Sequence, residues 1–316
     1  MIPHGNLLGA PGASRLIPVS MPPAEFETFP ISPGTPVGVY DSGFGGLTVL
    51  RQFRSVLPEL DYVYLGDSGR APYGGRDVDT ILDFAEQCVE RLFAEGCRVV
   101  VVACHTVSCV ALRHLQHRYG SAERRVLGVT IPAAEAAVAM TRGHIGFLGT
   151  ARTVASHTFR TEVGKLNPAL QVSEIAAPLL APIVEEAWEE TDIARLAVAR
   201  YVEQFAGIDT LVLGCTHYPL LENAFRELAP GGVQVLNPAS QVAERFRLWR
   251  ERYPALAPAG HGGLRVLSSG DVVRFARHGA RFLGEPLPPV AQVRQVNGRL
   301  MLCQDGAEPL GQVVRE

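Results

Sequence analysis

The chain has 316 residues, of which 47% are hydrophobic, and a formal net charge of −3 at pH 7 with acidic and basic residues interspersed. This length can bury a large core and suits two domains. The lack of a basic stripe argues against nucleic acid as the main partner. There is no run of about 18 apolar residues, as a membrane span would need, and no secretory-signal pattern near the start. The six cysteines are scattered and form neither a zinc-binding spacing nor a disulfide framework. The sequence therefore predicts a cytoplasmic protein without a membrane span.

The beginning of the chain leads into a strand and a glycine-rich turn. Residues 1–34 are rich in Pro, Gly and Ser without periodicity, which predicts a mobile leader to which we assign no function. A predicted strand at 37–43 has a polar end and joins a helix that begins near Leu47. The intervening turn has neither the dinucleotide nor the Walker spacing, so a nucleotide site and a simple tight turn both stay open. After a second strand at 62–67, a Pro/Gly loop at 70–76 could present backbone N–H groups to an anion.

Four consecutive valines at 99–102 precede Ala103, Cys104, His105 and Thr106. The β-branched run predicts a strand buried on both faces of a parallel sheet, with the polar residues at its carboxyl end. Open α/β sheets bind ligands at that edge. A helix predicted at 107–119 would place its amino end beside the thiol, where it favours negative charge. A single cysteine of this kind is more often a buried core residue than a nucleophile.

The second half of the chain repeats this pattern. An apolar run at 210–213 leads to Cys215, and an earlier predicted strand ends at Thr150. The 65 positions from Thr150 to Cys215 match the 63 positions from Asp41 to Cys104, which indicates one α/β unit used twice. Two such units would bring both thiols to one cleft.

The fold class that follows is α/β, with two pseudo-symmetric open α/β lobes, parallel-rich sheets and an active site in the cleft between the lobes. The predicted limits are 35–130 plus 235–290 for a discontinuous first lobe, 131–234 for the second lobe and 291–316 for a C-terminal tail. Strands expected at 234–239 and 264–270 would close the sheet of the first lobe. A small hairpin is predicted around Asn297-Gly298.

Two thiols in one cleft suit the inversion of a stereocentre. Acyl transfer needs one activated thiol, whereas removing a proton from one face of a carbon and returning one to the other face needs two groups. The α-proton of an amino acid is a poor acid, so the base must be close and dry and the carbanion must be stabilised by fixed polar groups. A cysteine fits because its ordinary pKa of roughly 8.5 can be lowered by a positive group or a helix end. His217 and Asp41 are the candidates to tune the thiols and relay protons.

Several motifs together resemble those of glutamate racemases. They are Asp41-Ser42-Gly43 with Gly45-Gly46-Leu47, Gly66-Asp67 with Pro72-Tyr73-Gly74, Ala103-Cys104 with Thr106, Gly149-Thr150 with Thr153, Leu213-Gly214-Cys215-Thr216-His217-Tyr218-Pro219-Leu220-Leu221, and Ser268-Ser269-Gly270-Asp271. The stretch at 213–221 is the most specific, and the resemblance covers roughly residues 35–290. It implies a cofactor-independent, two-base interconversion of L- and D-glutamate that supplies D-glutamate for bacterial peptidoglycan.

The resemblance also implies roles for individual residues. Cys104 and Cys215 would be the two acid/base thiols, assisted by Asp41, Glu185 and His217. The residues implied to contact the substrate are Asp41, Ser42, Tyr73, Gly74, His105, Thr106, Thr153, Thr216 and His217. No cofactor and no metal is implied. The implied partner is the small molecule L- or D-glutamate, and a second copy of the chain is a candidate because members of the family are often dimers.

One residue departs from the family's pattern, because His105 stands where Asn is usual. A neutral imidazole could still donate an N–H to the substrate, or the ring could gain charge near pH 6.5 and alter the pKa of Cys104. The departure keeps open a catalytically silent paralogue that binds an acidic ligand or a partner protein. A racemase for aspartate or another acidic amino acid also stays open, as does a zinc site built from Cys104, His105, Cys215 and His217. Cys109, where a small residue is more usual, is predicted to pack within a helix.

Overall fold

The computed structural model describes residues 35–303, so the predicted leader at 1–34 and the tail residues 304–316 lie outside the described residues. The strands are β1 (Val37–Asp41), β2 (Tyr62–Gly66), β3 (Val99–Val102), β4 (Arg125–Gly128), β5 (His144–Gly149), β6 (Gln171–Ala176), β7 (Thr210–Gly214), β8 (Gln234–Leu236), β9 (Leu264–Ser268), β10 (Val290–Val296) and β11 (Arg299–Leu302). The helices are α1 (Leu47–Val56), α2 (Val78–Ala94), α3 (His105–Val110), α4 (Leu112–Tyr119), α5 (Thr130–Met140), α6 (Ala151–Ala155), α7 (Thr158–Leu166), α8 (Leu180–Glu185), α9 (Asp192–Val202), α10 (Glu222–Leu228), α11 (Ala239–Arg252) and α12 (Val272–Leu283). Within 35–303, no helix is both long and apolar enough to cross a membrane.

The strands form two sheets, which confirms the predicted α/β class. The first sheet has the order β11-β10-β9-β2-β1-β3-β4 and the second has the order β6-β5-β7-β8. Every neighbouring pair is parallel except the β10–β11 hairpin. All residues of β1, β2, β3 and β7 are buried, as expected for apolar strands that are covered by helices on both faces.

Helices cover both faces of each sheet. On one face of the first sheet, Val39 belongs to a cluster with Leu50 of α1 and Phe246 of α11. On the other face, Val102 clusters with Leu115 of α4. The first of these clusters continues through α8, α9 and α10 onto one face of the second sheet. The two sheets therefore share a continuous hydrophobic core.

The register of the strands brings the predicted site turns together. In the first sheet Tyr40 pairs with Val102, and the backbone N–H of Ala103 donates to the Tyr40 carbonyl oxygen at 2.8 Å. In the second sheet Gly149 pairs with Gly214. The turns that follow β1 and β3 thus lie side by side, as do the turns that follow β5 and β7, at the carboxyl edges where open sheets bind ligands.

One strand joins a different sheet from the one we expected. The strand predicted at 234–239 to close the first sheet is β8, which pairs with β7 at the edge of the second sheet, so that expectation is wrong. The physical reason is the short β7–α10–β8 connection, because sequential parallel strands that are joined by one helix usually pair. The strand predicted at 264–270 does join the first sheet, as β9 beside β2. The limits predicted for the two lobes stay a prediction.

The predicted hairpin is confirmed. Asn297 and Gly298 have positive φ angles of 49° and 76°, which are typical of a two-residue type I′ turn. The first strand of this hairpin, β10, pairs in parallel with β9. The described part of the predicted tail is therefore an extension of the first sheet.

The sequence does not indicate two edge strands, β4 and β6. Their sequences, RVLG and QVSEIA, lack the long apolar run that marks the central strands. Accordingly, only one residue of β4 and no residue of β6 is buried. The predicted limit between the two lobes, at 130 and 131, falls at the start of α5.

Gly66, the last residue of β2, lies where a side chain does not fit. A Cβ atom there would be 2.5 Å from the Gly43 carbonyl oxygen and 2.5 Å from the Phe275 ring. We expect Gly66→Ala to lower the free energy of unfolding by about 1–3 kcal/mol, the range typical of overpacking. Gly164 of α7 has open space at its Cβ position, so Gly164→Ala should raise the free energy of unfolding by about 0.5–1 kcal/mol. Denaturant unfolding measures both changes, and equal stability of the two variants would contradict the expectation.

Candidate active site

Polar side chains follow three strands at the facing edges of the two sheets. Asp41 ends β1 and Ser42 follows it, while β3 leads to Cys104 at the N-cap position of α3. After β7 come Cys215 and, two positions later, His217. Since parallel strands end at one edge of a sheet, these residues meet in a cleft without any long loop.

One cavity between the sheets contains both thiols. The predicted site residues that line it are Ser42, Tyr73, Gly74, Cys104, His105, Thr106, Glu185, Cys215, Thr216 and His217. The other two predicted residues lie behind this lining: Asp41 Oδ1 accepts a hydrogen bond from Thr216 Oγ1 at 3.2 Å, and Thr153 Oγ1 is 3.1 Å from Thr106 Oγ1. The structure thus brings all of the predicted site residues together. The lining residues that were not among the predicted site residues are Gly43, Ala71, Pro72, Thr150 and Ala181.

The glycine-rich turn after β1 packs against the turn after β7. A Cβ atom on Gly45 would overlap the hydroxyl of Thr216 and lie 2.8 Å from Nδ1 of His217. The hydroxyl of Thr48, on α1, donates to the Thr216 carbonyl oxygen at 3.3 Å. Glycine at position 45 therefore lets the main chain of this turn approach the side chains of Thr216 and His217, which favours the tight-turn interpretation over a nucleotide site.

The first thiol has a hydroxyl and a carboxylate as its neighbours. Cys104 is 4% exposed, and its Sγ lies 3.4 Å from Ser42 Oγ. Burial and the nearby charge of Asp41 raise the pKa of Cys104 to about 12. Burial also raises the pKa of Asp41, although the backbone N–H of Gly43 donates to its Oδ2 at 2.9 Å. At neutral pH this arrangement keeps the first thiol protonated.

The second thiol has an imidazole as its neighbour. Cys215 Sγ lies 3.8 Å from His217 Nδ1, and His217 Nε2 is hydrogen-bonded to Glu185 Oε1 at 3.0 Å. Burial alone would lower the pKa of His217, but the hydrogen bonds to Cys215 and Glu185 outweigh it and raise this pKa to about 10. Burial would raise the pKa of Glu185, but the hydrogen bond to His217 outweighs it and lowers this pKa. The resulting imidazolium can stabilise negative charge on the Cys215 sulfur.

Three threonine hydroxyls connect the two sheets beside the first thiol. Thr106 Oγ1, at the start of α3, is 3.0 Å from Thr150 Oγ1 and 3.1 Å from Thr153 Oγ1, and the last two are 2.8 Å apart. Thr150 was not among the predicted site residues. Its position at the end of β5 matches that of Asp41 at the end of β1, and this match was the available signal.

A buried carboxylate holds the predicted substrate loop. Asp67, directly after β2, accepts a hydrogen bond from the Tyr73 hydroxyl, and the single N–H of Arg70 Nε is shared between its two carboxylate oxygens at 2.9 and 2.8 Å. The hydroxyl of Ser269 donates to the same carboxylate at 2.5 Å. The hydroxyl of Tyr73 is thus engaged within the protein. Sequence reasoning missed this role of Asp67, although a polar residue at the end of a buried strand was again the signal.

His105 lies at the start of α3, lines the cavity and is 5% exposed. Among residues 35–303, neither of its ring nitrogens has a hydrogen-bond partner. Burial lowers its pKa to about 4, so the ring is neutral at physiological pH and offers one donor and one acceptor. The structure therefore favours a neutral donor over the alternative of a charge gained near pH 6.5.

The four residues considered for a zinc site, Cys104, His105, Cys215 and His217, all line the cavity. In the described part of the chain, no group of three or more His, Cys, Asp or Glu side chains has an arrangement that could hold a metal ion. The side chain of His217 is instead hydrogen-bonded to Glu185.

Comparison with known proteins places the chain in a family. Residues 48–245 match the family model described as Asp/Glu/Hydantoin racemase. This match covers more than half of the chain and includes Cys104 and Cys215. The chain belongs to the Asp/Glu/hydantoin racemase family. Its fold is thus that of a racemase family.

Individual racemases are similar to the chain over most of their length. The glutamate racemase of Geobacter metallireducens is 36% identical over 265 residues, which are 83% of this chain and 97% of that protein. The glutamate racemase structure from Thermus thermophilus in complex with beta-chloro-D-alanine has a TM-score of 0.74 and 36% identity, covering 83% of this chain and 98% of that one. The glutamate racemase structure from Francisella tularensis in complex with D-glutamate has a TM-score of 0.75 and 26% identity. This match covers 81% of this chain and 96% of that one. The resemblance to glutamate racemases is confirmed, while the roles of single residues stay predictions.

The pKa of His217 makes the stability of this racemase fold depend on pH. This pKa is about 10 in the folded chain and about 6.5 in the unfolded chain. Between these values the folded state binds more protons, so the stabilising contribution of His217 is complete below about pH 6.5 and is lost as the pH rises to about 10. We expect the wild type to lose up to about 1.4 kcal/mol more per pH unit in this range than His217→Gln does.

Denaturant unfolding across this pH range measures the difference. His117→Gln, which changes an exposed histidine of α4, is the control and should follow the wild type. The same pH dependence in the wild type and in His217→Gln would show that His217 is not the group responsible.

Proposed function

We propose that this chain is a glutamate racemase that inverts the α-carbon of glutamate with two cysteines and without a cofactor. The observation that carries the proposal is the pair of buried thiols, Cys104 beside the first sheet and Cys215 beside the second, that line one cavity. The names of the relatives, and the D-glutamate bound in the Francisella tularensis structure, support glutamate as the substrate.

The reaction needs one sulfur on each face of the α-carbon. One thiolate removes the α-proton, and the electron pair of the broken C–H bond stays on the carbon as a planar carbanion. The thiol on the opposite face then donates its proton, which forms a new C–H bond with inverted configuration and leaves a thiolate there. The reverse reaction exchanges the two roles. General acid and base help of this kind contributes about 10²–10⁴-fold.

The groups beside the two thiols have opposite effects on negative charge at the sulfur. On one side, the His217 imidazolium, oriented by Glu185, stabilises negative charge on Cys215. On the other side, the buried carboxylate of Asp41 disfavours negative charge on Cys104. The arrangement fits a free enzyme in which Cys215 acts as the base and Cys104 as the acid.

We assign substrate binding to uncharged groups around the two sulfurs. These groups are the side chains of Ser42, Thr106, Thr153 and Thr216, the loop at Tyr73 and Gly74, and the neutral ring of His105. Two charged side chains complete the assignment: His217, which lines the cavity, and Asp41, which lies behind the lining. Hydroxyl and N–H donors can bind both carboxylates of glutamate. The unpaired ring nitrogens of His105 support its inclusion, because a buried imidazole gains most from a partner supplied by the substrate.

The alternatives have less support. The relatives described above are named glutamate racemases, which favours glutamate over aspartate. A catalytically silent paralogue would have no need for two thiols in one cavity or for the His217–Glu185 hydrogen bond. We extend the proposal to a cytoplasmic enzyme, active alone or as a homodimer, whose D-glutamate serves bacterial peptidoglycan.

Proton exchange at the α-carbon tests this proposal directly. In deuterated water, we expect the wild type to replace the α-proton of L-glutamate with deuterium and to form D-glutamate, and to act more slowly on L-aspartate. Cys104→Ser and Cys215→Ser should each reduce racemisation by at least about 100-fold, because either variant lacks one of the two thiols. Proton NMR and chiral chromatography measure exchange and inversion separately.

The controls for this experiment are the circular dichroism spectra of all three proteins. Faster turnover of aspartate would replace glutamate as the assigned substrate. A folded wild type that exchanges neither amino acid would refute the proposal and favour the paralogue, and His105→Asn would then be the first reversion to make.

Cys109 provides a separate test of which thiols are needed for racemisation. It does not line the cavity, its Sγ is 3.4 Å from Thr130 Oγ1, and burial raises its pKa to about 11. We therefore expect Cys109→Ala to keep the wild-type rate of racemisation in the same exchange assay. Loss of activity in a folded Cys109→Ala protein would show that the packing interpretation of this cysteine is wrong.

A further inference from the structure

The last turn of α12 reaches from the first sheet to α8. Arg281 Nη2 donates to the carbonyl oxygen of Val184 at 3.1 Å and also pairs with the carboxylate of Glu189. Val184 lies in the last turn of α8, and its carbonyl oxygen also accepts a hydrogen bond from the backbone N–H of Ala187 at 3.1 Å. The side chains of Arg281 and Glu189 are only 27% and 16% exposed, so water competes less for these contacts than at a surface ion pair.

These two contacts lie on either side of Glu185. Val184 directly precedes it, and Glu189 follows four positions later. Between them, Ala187 has a positive φ of 60°, a backbone conformation that a residue with a side chain keeps only with support from its surroundings. Arg281 therefore holds both ends of the turn that carries Glu185.

The neighbouring residue on α12 contacts the hydrogen-bond partner of Glu185. The ring of Phe282 is fully buried and meets the ring of His217 edge to face, with centroids 5.3 Å apart and an interplanar angle of 79°. One helical turn thus supports both members of the pair, the backbone beside Glu185 through Arg281 and the ring of His217 through Phe282.

We propose that Arg281 is a positioning residue for the Cys215 half of the site. It fixes the turn at 184–189 so that Glu185 Oε1 stays 3.0 Å from His217 Nε2, and His217 in turn stays beside the Cys215 sulfur. Arg281 does not line the cavity and acts only through this pair. The inference rests on the proposed function, because the pair affects catalysis only if Cys215 exchanges protons with the substrate.

Other titratable groups also face this pair and would remain in a variant of Arg281. Asp41 of β1 faces His217, and Arg274 and His278 of α12 face Glu185. Because these groups and Cys215 are unchanged in the variant, a change in the titration of His217 reports mainly on its hydrogen bond to Glu185.

The test compares Arg281→Ala with Arg277→Ala, which removes an exposed arginine from the same helix. NMR of labelled histidines, assigned with His217→Gln, should show the pKa of His217 lower by about one pH unit in Arg281→Ala and unchanged in Arg277→Ala. The kcat for glutamate should fall about 10- to 100-fold in Arg281→Ala, with a smaller change in KM. The high-pH limb of its kcat profile should move to lower pH.

An unchanged titration of His217 in a folded Arg281→Ala protein overturns the inference, even if kcat falls, because a merely structural role would give that result. If Arg281→Ala does not fold, Glu189→Gln and Arg281→Lys weaken the same contacts more mildly and are judged by the same titration. The titration does not depend on activity. A wild type that fails to racemise glutamate would therefore refute the proposed function, whereas the titration alone decides the positioning of His217.

Discussion

The site depends on the parallel pairing of β1 with β3 and of β5 with β7. These pairings bring four turns to the facing edges of two sheets, and both thiols follow central strands whose residues are all buried. These strands have little freedom to shift, because each is hydrogen-bonded to a neighbour on both edges and packed against helices on both faces. The sulfur atoms are therefore placed by rigid elements, and the hydrophobic core that the two sheets share fixes the edges relative to one another.

Burial then shifts the pKa values of several side chains that lie at the ends of these strands. Loss of hydration disfavours charge, and the pKa values of Asp41, Cys104, His105 and His217 depart from their ordinary values according to the partners of each group. Cys104 has a hydroxyl and a carboxylate nearby, whereas Cys215 has an imidazolium that is paired with Glu185. A repeated fold therefore carries two different electrostatic environments. The proposed assignment of one sulfur as the acid and the other as the base rests on this difference.

Much of the site could be predicted from the sequence because it follows directly from strand ends. The apolar runs at 99–102 and 210–213 permit few other structures, and the matching spacings of the two halves bring their ends together. The sheet that β8 joins is determined by its short connection to β7 through α10, and the three residues of β8 do not indicate it. The partners of Thr150 and Asp67 are contacts between distant elements. The contact of Arg281 with α8 joins residues 97 positions apart. Helical periodicity predicts which face of α12 is buried, but it does not predict the partner of a polar residue at the border of that face.

The close approach at Gly45 has a consequence for how the two halves of the chain can change over time. The contact with the turn after β7 involves the backbone at position 45, so a larger residue there would push Thr216 and His217 away from the opposite turn. Drift in one half must then be matched by a compensating change in the other. The two units can acquire different side chains around their sulfurs, but the residue at position 45 and the side chains at 216 and 217 are constrained to change together.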